Sequence, residues 1–269
     1  MTQPIRNSGL EKIDSCGEPP EMTEPVTYER TGPVAKITMD DGKVNVMSPT
    51  MLKALHGALD RAQRERAVVI LTGREKIFSA GFDLNVFARG VSEEVYEMMR
   101  LGADLALRVL SFPLPVVAAC TGHALPMGAF LLLGSDVRIG ADGPFRIGLN
   151  EVAIKLTVPY FAIELTRYRL TPAYFNRVVT GETLAPREAA IAGYLDRAVA
   201  PEELQTTAHE IASALSQVDL DAHAATKERL RKAAIEAVRN AIDLEINLQY
   251  YQDRAARRLA TAQATAVSG

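Results

Sequence analysis

Residues 115–130 read PVVAACTGHALPMGAF, where an apolar run meets a glycine-containing turn and a second apolar segment follows. The run Pro115–Cys120 is typical of a buried strand, and the segment after Leu125 is typical of an apolar helix. A glycine after a strand lets the backbone turn sharply, and the start of a helix directs unpaired N–H groups towards the turn. This stretch therefore predicts a strand–turn–helix unit whose turn can receive negative charge.

A second turn of this kind lies upstream, where residues 77–84 read IFSAGFDL after the apolar run Ala67–Thr72. Its small residues and Gly81 let the backbone expose its N–H groups. Two such turns that face one point would form an oxyanion hole, a pair of amides that stabilises a developing negative charge. Either turn alone is weak evidence, because most glycine-containing turns only connect a strand to a helix.

Strand-like and helix-like segments alternate along the chain. Short β-branched runs predict strands at Val34–Met39, Ala67–Thr72, Pro115–Cys120 and Asp136–Gly140. Two helices are predicted to begin at the caps Ser48 and Ser92. Their buried positions are Leu52, Leu55, Leu59 and Ala62 in the first, and Val95, Met98, Met99, Ala106 and Val109 in the second. This alternation predicts an α/β fold with mostly parallel sheets covered by helices.

Three regions differ in composition. Residues 1–25 contain four prolines and few large apolar side chains, so we expect a flexible leader. Residues 26–200 are expected to form the core, and residues 201–269 a helical C-terminal region without strand signals. The basic side chains of that region are expected to form a solvated helix face: Lys227, Arg229, Arg231 and Lys232.

Composition excludes several classes of partner. The chain has 269 residues, 48% of them hydrophobic, and 30 basic against 33 acidic side chains give a net charge of −3. Nucleic acids and anionic membranes require clustered basic residues, which this sequence lacks. The two cysteines, Cys16 and Cys120, are too few for a disulfide framework, and we expect a reducing cytoplasm. No apolar run is long enough to predict a membrane span, and the first residues do not resemble a secretory signal.

The common catalytic and cofactor motifs are missing from the sequence. It contains no G-x-S-x-G elbow, no phosphate-binding P-loop and no G-x-G-x-x-G after a strand. The four histidines, His56, His123, His209 and His223, lack metal-ligand spacing, so we expect no metal site. Backbone dipoles and carboxylates remain as the chemical groups.

Five stretches together resemble the crotonase (enoyl-CoA hydratase/isomerase) superfamily over about residues 26–250. They are DDGKVNVMSP, IFSAGFDL, PVVAACTGHALPMGAFLLLGSDVRIG, FRIGLNEVAIKLTVP and TGETLAPREAAIAGYLDRAV, in the family's order and spacing. The resemblance implies a spiral of ββα units and a helical C-terminal region that forms a homotrimer or a dimer of trimers.

The resemblance also implies the site residues. In the family, a thioester carbonyl of acyl-CoA accepts hydrogen bonds from two amides, which correspond to Phe82 and Met127. Many members have a glycine where this chain has Met127, whose side chain must therefore find room. Coenzyme A is part of the substrate, and no separate cofactor is expected. Its contacts correspond to Val44, Ala80, Asp83, Leu84 and Lys227, while Asn85 replaces a lysine common in hydratases.

The acid–base residues depart from the family pattern. Hydratases use two glutamates, and the position of the first is Phe130 here, which we expect to wall the acyl pocket. The second corresponds to Glu151 in a segment closer to that of some Δ3,Δ2-enoyl-CoA isomerases. We expect the neighbouring Leu149, Val152 and Ile154 to raise the pKa of Glu151 by desolvation.

Four functions remain open at this level. The first hypothesis is hydration of a 2-enoyl-CoA in fatty-acid β-oxidation, and the main alternative is Δ3,Δ2-enoyl-CoA isomerisation. A catalytically degenerate protein that binds acyl-CoA is a third possibility. Hydrolysis would need a further group to activate water, for which His123 and Asp83 are the candidates, although His123 is expected to be an ordinary turn residue.

Overall fold

The computed structural model describes residues 24–253 and 255–257. Residues 1–23 lie outside this part of the chain, so the flexible leader stays a prediction. The strands are β1 (Val26–Thr31), β2 (Val34–Met39), β3 (Val46–Met47), β4 (Val68–Gly73), β5 (Lys76–Ser79), β6 (Gly81–Phe82), β7 (Val116–Cys120), β8 (Gly122–Ala124), β9 (Val137–Ala141), β10 (Ile147–Gly148), β11 (Thr183–Leu184) and β12 (Arg197–Val199).

Helices occupy most of the remaining described chain. The α-helices are α1 (Pro49–Arg64), α2 (Leu84–Arg89), α3 (Ser92–Ser111), α4 (Pro126–Gly134), α5 (Tyr160–Arg169), α6 (Pro172–Arg177), α7 (Pro186–Ala192), α8 (Leu204–Leu215) and α9 (Leu220–Glu245). Short 3-10 helices span Val152–Ile154, Val178–Thr180 and Pro201–Glu203. The predicted α/β fold class is thus confirmed, and all four predicted strands lie within one residue of their predicted bounds.

The main sheet has six strands in the order β1-β2-β4-β7-β9-β12. Only β1 and β2 pair in antiparallel fashion, and all other neighbours are parallel. Along β4, Val69 and Leu71 face the larger core, whereas Val68 and Ile70 face a smaller core that α8 covers. Both faces are therefore buried, which explains why the central strands read as continuous apolar runs.

Helix α1 follows its sequence pattern closely. Ser48 caps it and accepts a hydrogen bond from the Met51 amide at 3.2 Å, and Pro49 is the first helical residue. Its four predicted core residues are all buried. The cap predicted for α3 is off by one residue: Val91 is the cap, without a side-chain hydrogen bond, and Ser92 is already helical. Within α3 the predicted stripe is buried, except for Val95, which is half-buried.

Two smaller sheets accompany the main sheet. The second sheet has four strands in the order β11-β10-β8-β5, and a two-stranded sheet joins β3 to β6. The backbones of β5 and β8 approach closely. As a result, a Cβ at Gly122 would lie only 1.9 Å from the Lys76 carbonyl oxygen. Glycine is therefore required at the first residue of β8 for steric reasons.

Beyond β12, α8 packs on the main sheet and α9 packs on α3 and α5. The predicted solvated face of basic residues is only half right. Arg229 and Lys232 are exposed, but Lys227 and Arg231 are both 5% exposed. A buried ion cluster, formed by Asp136, Lys227 and Arg231, holds α9 to the start of β9.

Asp136 is the acceptor on which the ion cluster depends. Its carboxylate accepts hydrogen bonds from Lys227 Nζ at 2.7 Å, Arg231 Nη2 at 2.7 Å and the Val116 amide at 2.8 Å. Arg231 also donates to the carbonyl oxygens of Leu110 and Gly134. The cluster thus connects α9 with α3, α4 and the amino ends of two strands.

In the part of the chain that the structure describes, no helix has the length and apolar character needed to cross a membrane.

We expect the two sides of the ion cluster to differ in their effect on stability. Asp136→Asn should lower the free energy of unfolding by about 3–5 kcal/mol, because it leaves buried cations without their counter-charge. Lys227→Met should cost much less, since burial already lowers the pKa of that ammonium to about 8 and Asp136 keeps Arg231. Urea unfolding near neutral pH measures both, and equal losses would contradict this assignment.

Candidate active site

The two turns that the sequence predicted to face one another are in contact. The Leu125 amide donates a hydrogen bond to the Ser79 carbonyl oxygen at 2.9 Å. A Cβ at Gly81 would lie 3.4 Å from Pro126 Cδ, and Gly81 has a φ of +96°, which favours glycine. The predicted amide donors follow these two contacting residues directly, so the structure brings their backbone segments together.

The Met127 amide lies in the first turn of α4. Leu125 is the cap of this helix, and its carbonyl oxygen accepts from Gly128 at 2.6 Å and Ala129 at 3.3 Å. N–H groups of a first helical turn have no acceptor within the helix four residues back, and the helix dipole favours negative charge there. This position therefore suits a developing oxyanion.

The loop before α1 is held by one carboxylate. Asp41 accepts from the amides of Lys43 and Asn45, each at 2.8 Å, and from Val46 at 2.9 Å. Asn45 is fully buried and has a φ of 53°, a conformation that asparagine tolerates better than most residues. The Asp41 carboxylate and the Asn45 backbone thus give this loop a fixed shape.

Asn45 and Ser79 connect this loop to the first turn. The Asn45 amide group donates to the carbonyl oxygens of Met39 at 2.9 Å and Phe78 at 3.2 Å. Ser79 Oγ donates to the Asn45 carbonyl oxygen at 2.7 Å and accepts from the Gly81 amide at 3.1 Å. These bonds fix the backbone immediately before Phe82, the first predicted donor.

Of the four backbone positions predicted to contact coenzyme A, Ala80, Asp83 and Leu84 lie along this same turn, and Val44 lies in the loop before α1. The Val44 carbonyl oxygen accepts from the Ala80 amide at 3.0 Å, which joins two segments far apart in the sequence. Asp83 caps α2 by accepting from the Asn85 amide at 2.9 Å. Val44 and Leu84 are exposed, so the turn borders an accessible surface.

Lys227 lies elsewhere, and the prediction that it contacts coenzyme A phosphates is corrected. Its ammonium is buried against Asp136, whose carboxylate accepts from Val116 at the amino end of β7. The two turns of the site follow the carboxyl ends of β4 and β7 instead. A strand's full length therefore separates Lys227 from the site, and burial excludes its ammonium from a surface phosphate.

Glu151 reaches the site through the second sheet. Ile147 of β10 pairs with Ala124 of β8, and these two strands are parallel. Segments that follow parallel strands leave the same edge of a sheet. Glu151, four residues after Ile147, and Met127, three residues after Ala124, therefore lie at a common edge.

The Glu151 carboxyl group is buried without a partner. The residue is 6% exposed, and neither carboxylate oxygen has a hydrogen-bond partner among the described residues. Burial raises the pKa of Glu151 to about 7. Desolvation by burial is the cause that the sequence predicted for this rise in pKa. Val152 and Ile154 do not contribute to the burial, since both are exposed. Leu149 is buried, and the charge of Glu151 acts with burial to raise the pKa of the buried Tyr194.

Phe130 occupies the position of the missing carboxylate without exposure to solvent. Its ring packs edge-to-face on Phe161, with ring centroids 5.3 Å apart. This position therefore supplies no acid–base group, and its role as a wall of the acyl pocket stays a prediction. His123 lies in β8 and not in a turn as expected: its Nδ1 accepts from the Arg146 amide, and its ring packs on Phe145.

Sequence reasoning missed three residues that shape the site. Asn45 lies within a stretch that carried the family resemblance, and an asparagine in a polar turn is a recognisable signal for a left-handed conformation. Ser79 was noted only as a small residue. Tyr194 gave no local signal, because only the folded chain brings it near Glu151.

The comparisons with known proteins agree on one family. Residues 29–264 match the family model described as enoyl-CoA hydratase/isomerase. A putative enoyl-CoA hydratase from Thermus thermophilus is 35% identical over 191 residues, which cover 67% of this chain and 75% of that protein.

Solved structures extend the likeness to the fold. An enoyl-CoA hydratase/isomerase family protein from Pseudomonas syringae is 43% identical, with a TM-score of 0.81 over 84% of this chain and 98% of that chain. A Mycobacterium tuberculosis protein, 42% identical, is called a probable enoyl-CoA hydratase in one structure and an enoyl-CoA isomerase in another. Their TM-scores are 0.79 and 0.78, and the matches cover 81% and 82% of this chain and 93% and 96% of theirs. The chain therefore belongs to the enoyl-CoA hydratase/isomerase family.

Proposed function

We propose that this enzyme isomerises 3-enoyl-CoA thioesters to 2-enoyl-CoA thioesters, with Glu151 as the single acid–base group. The observation that supports this proposal most strongly is the buried carboxyl group of Glu151, whose two oxygens have no hydrogen-bond partner among the described residues. Buried acceptors are nearly always hydrogen-bonded, so such a group indicates a place where a ligand or water supplies the donor. Asn150 Oδ1 beside it is also buried and unpaired.

The chemistry of the proposal needs one base and one pair of donors. The carboxylate of Glu151 removes a proton from the carbon between the thioester and the double bond. The amides of Phe82 and Met127 stabilise the oxygen of the resulting dienolate. The carboxylic acid then returns the same proton to the far end of the conjugated system, which leaves the double bond conjugated with the thioester.

A pKa near 7 suits both halves of this cycle. The carboxylate form takes the proton, and the acid form gives it back, so a group that is half ionised near neutral pH performs both steps efficiently. Burial provides this pKa without a second carboxylate. Phe130 stands at the position where a second carboxylate would be expected.

Hydration of 2-enoyl-CoA is the second candidate. It is supported by the resemblance to the Thermus thermophilus protein, which is named a putative enoyl-CoA hydratase. A single glutamate can take a proton from water and deliver it to the enolate carbon. It controls the position of that water less well than two carboxylates do, and for this reason the geometry favours isomerisation.

The proposal includes the oligomeric state, the compartment and the pathway of the enzyme. The family resemblance supports a homotrimer or a dimer of trimers that acts in cytoplasmic fatty-acid β-oxidation. Leu230 and Leu244 on α9 are 73% and 71% exposed, and exposed apolar side chains of this size favour packing against another copy. Ile246 differs, because it is already buried within the chain.

One assay separates the candidate reactions. The enzyme is given 3-enoyl-CoA and 2-enoyl-CoA thioesters of several chain lengths, and the products are followed by absorbance and mass spectrometry. Isomerisation leaves the mass unchanged and creates the absorbance of the conjugated thioester. A gain of water identifies a hydratase, and free coenzyme A indicates hydrolysis. Tight binding without conversion of any thioester would identify a degenerate binding protein.

Glu151→Gln should lower kcat for 3-enoyl-CoA by about 10²–10⁴-fold, because the amide cannot take up a proton. KM should change little, since the shape of the side chain is kept. Glu75→Gln, at an exposed glutamate, is the matched control and should retain wild-type turnover. Steady-state kinetics measure both variants, and wild-type turnover in Glu151→Gln would remove the role assigned to this residue.

The rate should depend on pH through the same group. Because the base must be ionised, kcat/KM should rise as the pH increases and level off above the Glu151 pKa of about 7. The residual activity of Glu151→Gln should lack this acidic limb. A pH profile of kcat/KM for both proteins checks the assignment, and a limb shared by both would place the titrating group elsewhere.

Stability should change in the opposite direction from activity. The folded-state pKa of Glu151 is raised above its unfolded value, so its neutral form is favoured in the folded protein and wild-type stability falls as the pH rises through about 7. Glu151→Gln does not ionise and should escape this loss. Thermal unfolding should therefore show the variant above the wild type at about pH 8 and close to it at about pH 5; a difference independent of pH would contradict the argument.

A further inference from the structure

The side chains of the two proposed oxyanion donors meet at one residue of a third element. Phe82 and Met127 both pack over Gly102, which lies in the middle of α3. A Cβ at Gly102 would lie 2.4 Å from Phe82 Cε1, 2.6 Å from Phe82 Cζ and 3.4 Å from Met127 Sδ. Gly102 thus provides the room that the Phe82 ring needs, and Met127 Sδ lies at ordinary contact distance beside it.

Backbone conformation does not explain this glycine. Gly102 lies inside a regular helix and is not among the glycines with a positive φ. Glycine in a helix interior is about 1 kcal/mol less favourable than alanine, so helix propensity alone favours alanine here. By contrast, a Cβ at Gly57 of α1 would have no neighbour within 4 Å. The space over Gly102 is therefore occupied in a way that the space over Gly57 is not.

The packing confines the two side chains to different degrees. Met127 is fully buried, whereas Phe82 is half-buried and its ring meets Phe87 of α2 edge-to-face at 6.5 Å. The backbone of Phe82 is paired with Met47 of β3. A displacement of the Phe82 ring would consequently act on the backbone of Phe82 and, through the neighbouring Met127 side chain, on the start of α4.

We propose that Gly102 is a positioning residue that sets the two amides of the oxyanion hole through the side chains of Phe82 and Met127. This inference rests on the proposed function, because it assumes that a thioester carbonyl binds to those amides. Transition-state stabilisation is sensitive to small displacements of such donors, and a shift of about 1 Å can cost about 100-fold in rate. Gly102 acts at a distance and does not touch the substrate.

The first experiment compares Gly102→Ala with Gly57→Ala as a matched control. Both variants replace a helical glycine by alanine, but only Gly57→Ala has room for the added Cβ and should keep or raise the melting temperature. Gly102→Ala should lower it, because its Cβ must displace the Phe82 ring. Gly102→Ala should lower kcat by about 10–100-fold and change KM by less than about threefold. Gly57→Ala should keep wild-type kcat. Wild-type kcat in Gly102→Ala would overturn the proposal.

A second comparison tests whether the Phe82 ring transmits the effect. In a Phe82→Leu background the ring atoms that would clash are gone, so adding Gly102→Ala should lower kcat by less than about threefold. An undiminished loss in that background would overturn the proposal, because the effect would then not pass through the ring. If Gly102→Ala alone does not fold, this comparison between the double variant and Phe82→Leu decides the question.

A third measurement reads the amide donors without turnover. Butyryl-CoA, isotope-labelled at the carbonyl carbon, is saturated and remains unconverted while bound. Its carbonyl stretching frequency should fall on binding to the wild type and fall less on binding to Gly102→Ala, with Gly57→Ala like the wild type. Equal frequencies in all three proteins would overturn the proposal. Failure of the wild type to convert any enoyl-CoA would instead refute the proposed function and leave this readout valid.

Discussion

The site depends on the close contact between two strand-to-helix turns, joined by the hydrogen bond from the Leu125 amide to the Ser79 carbonyl oxygen. The contact is possible because two positions carry no side chain. A Cβ at Gly122 would overlap the Lys76 carbonyl, and Gly81 adopts a positive φ against Pro126. The second sheet, the start of α4 and the segment after β10 that carries Glu151 all lie around this contact.

Two carboxylates of this chain with little exposure to solvent show how environment decides the role of a group. Asp136 accepts three hydrogen bonds, two of them from cations, and holds α9 to the sheet. Glu151 accepts none from the described residues, and burial alone raises its pKa to about 7. A saturated carboxylate stabilises the fold, whereas an unsatisfied one is available for proton transfer at a cost in stability.

The departures from the family pattern are compensated within the fold. Where hydratases carry the first of their two glutamates, Phe130 packs on Phe161 inside the core. Where many members have a glycine, Met127 is fully buried, and its Sδ packs over Gly102 as the Phe82 ring does. The backbone amides are independent of these side-chain changes, because a main-chain donor is kept whatever residue carries it. The chain thus combines two contacting turns, which carry the proposed amide donors, with a phenylalanine at one of the two glutamate positions.

The sequence by itself determined four of the twelve described strands, the first helix with its cap, and the two turns, since each depends on local periodicity or on a glycine in a turn. The candidate carboxylate came from the family resemblance. Only the tertiary structure decided that Lys227 is buried with Asp136 and that Tyr194 lies near Glu151. It also decided that Gly102 receives two side chains. Contacts between residues far apart in the sequence leave no periodic signal, because burial and pairing arise only when separate elements pack together.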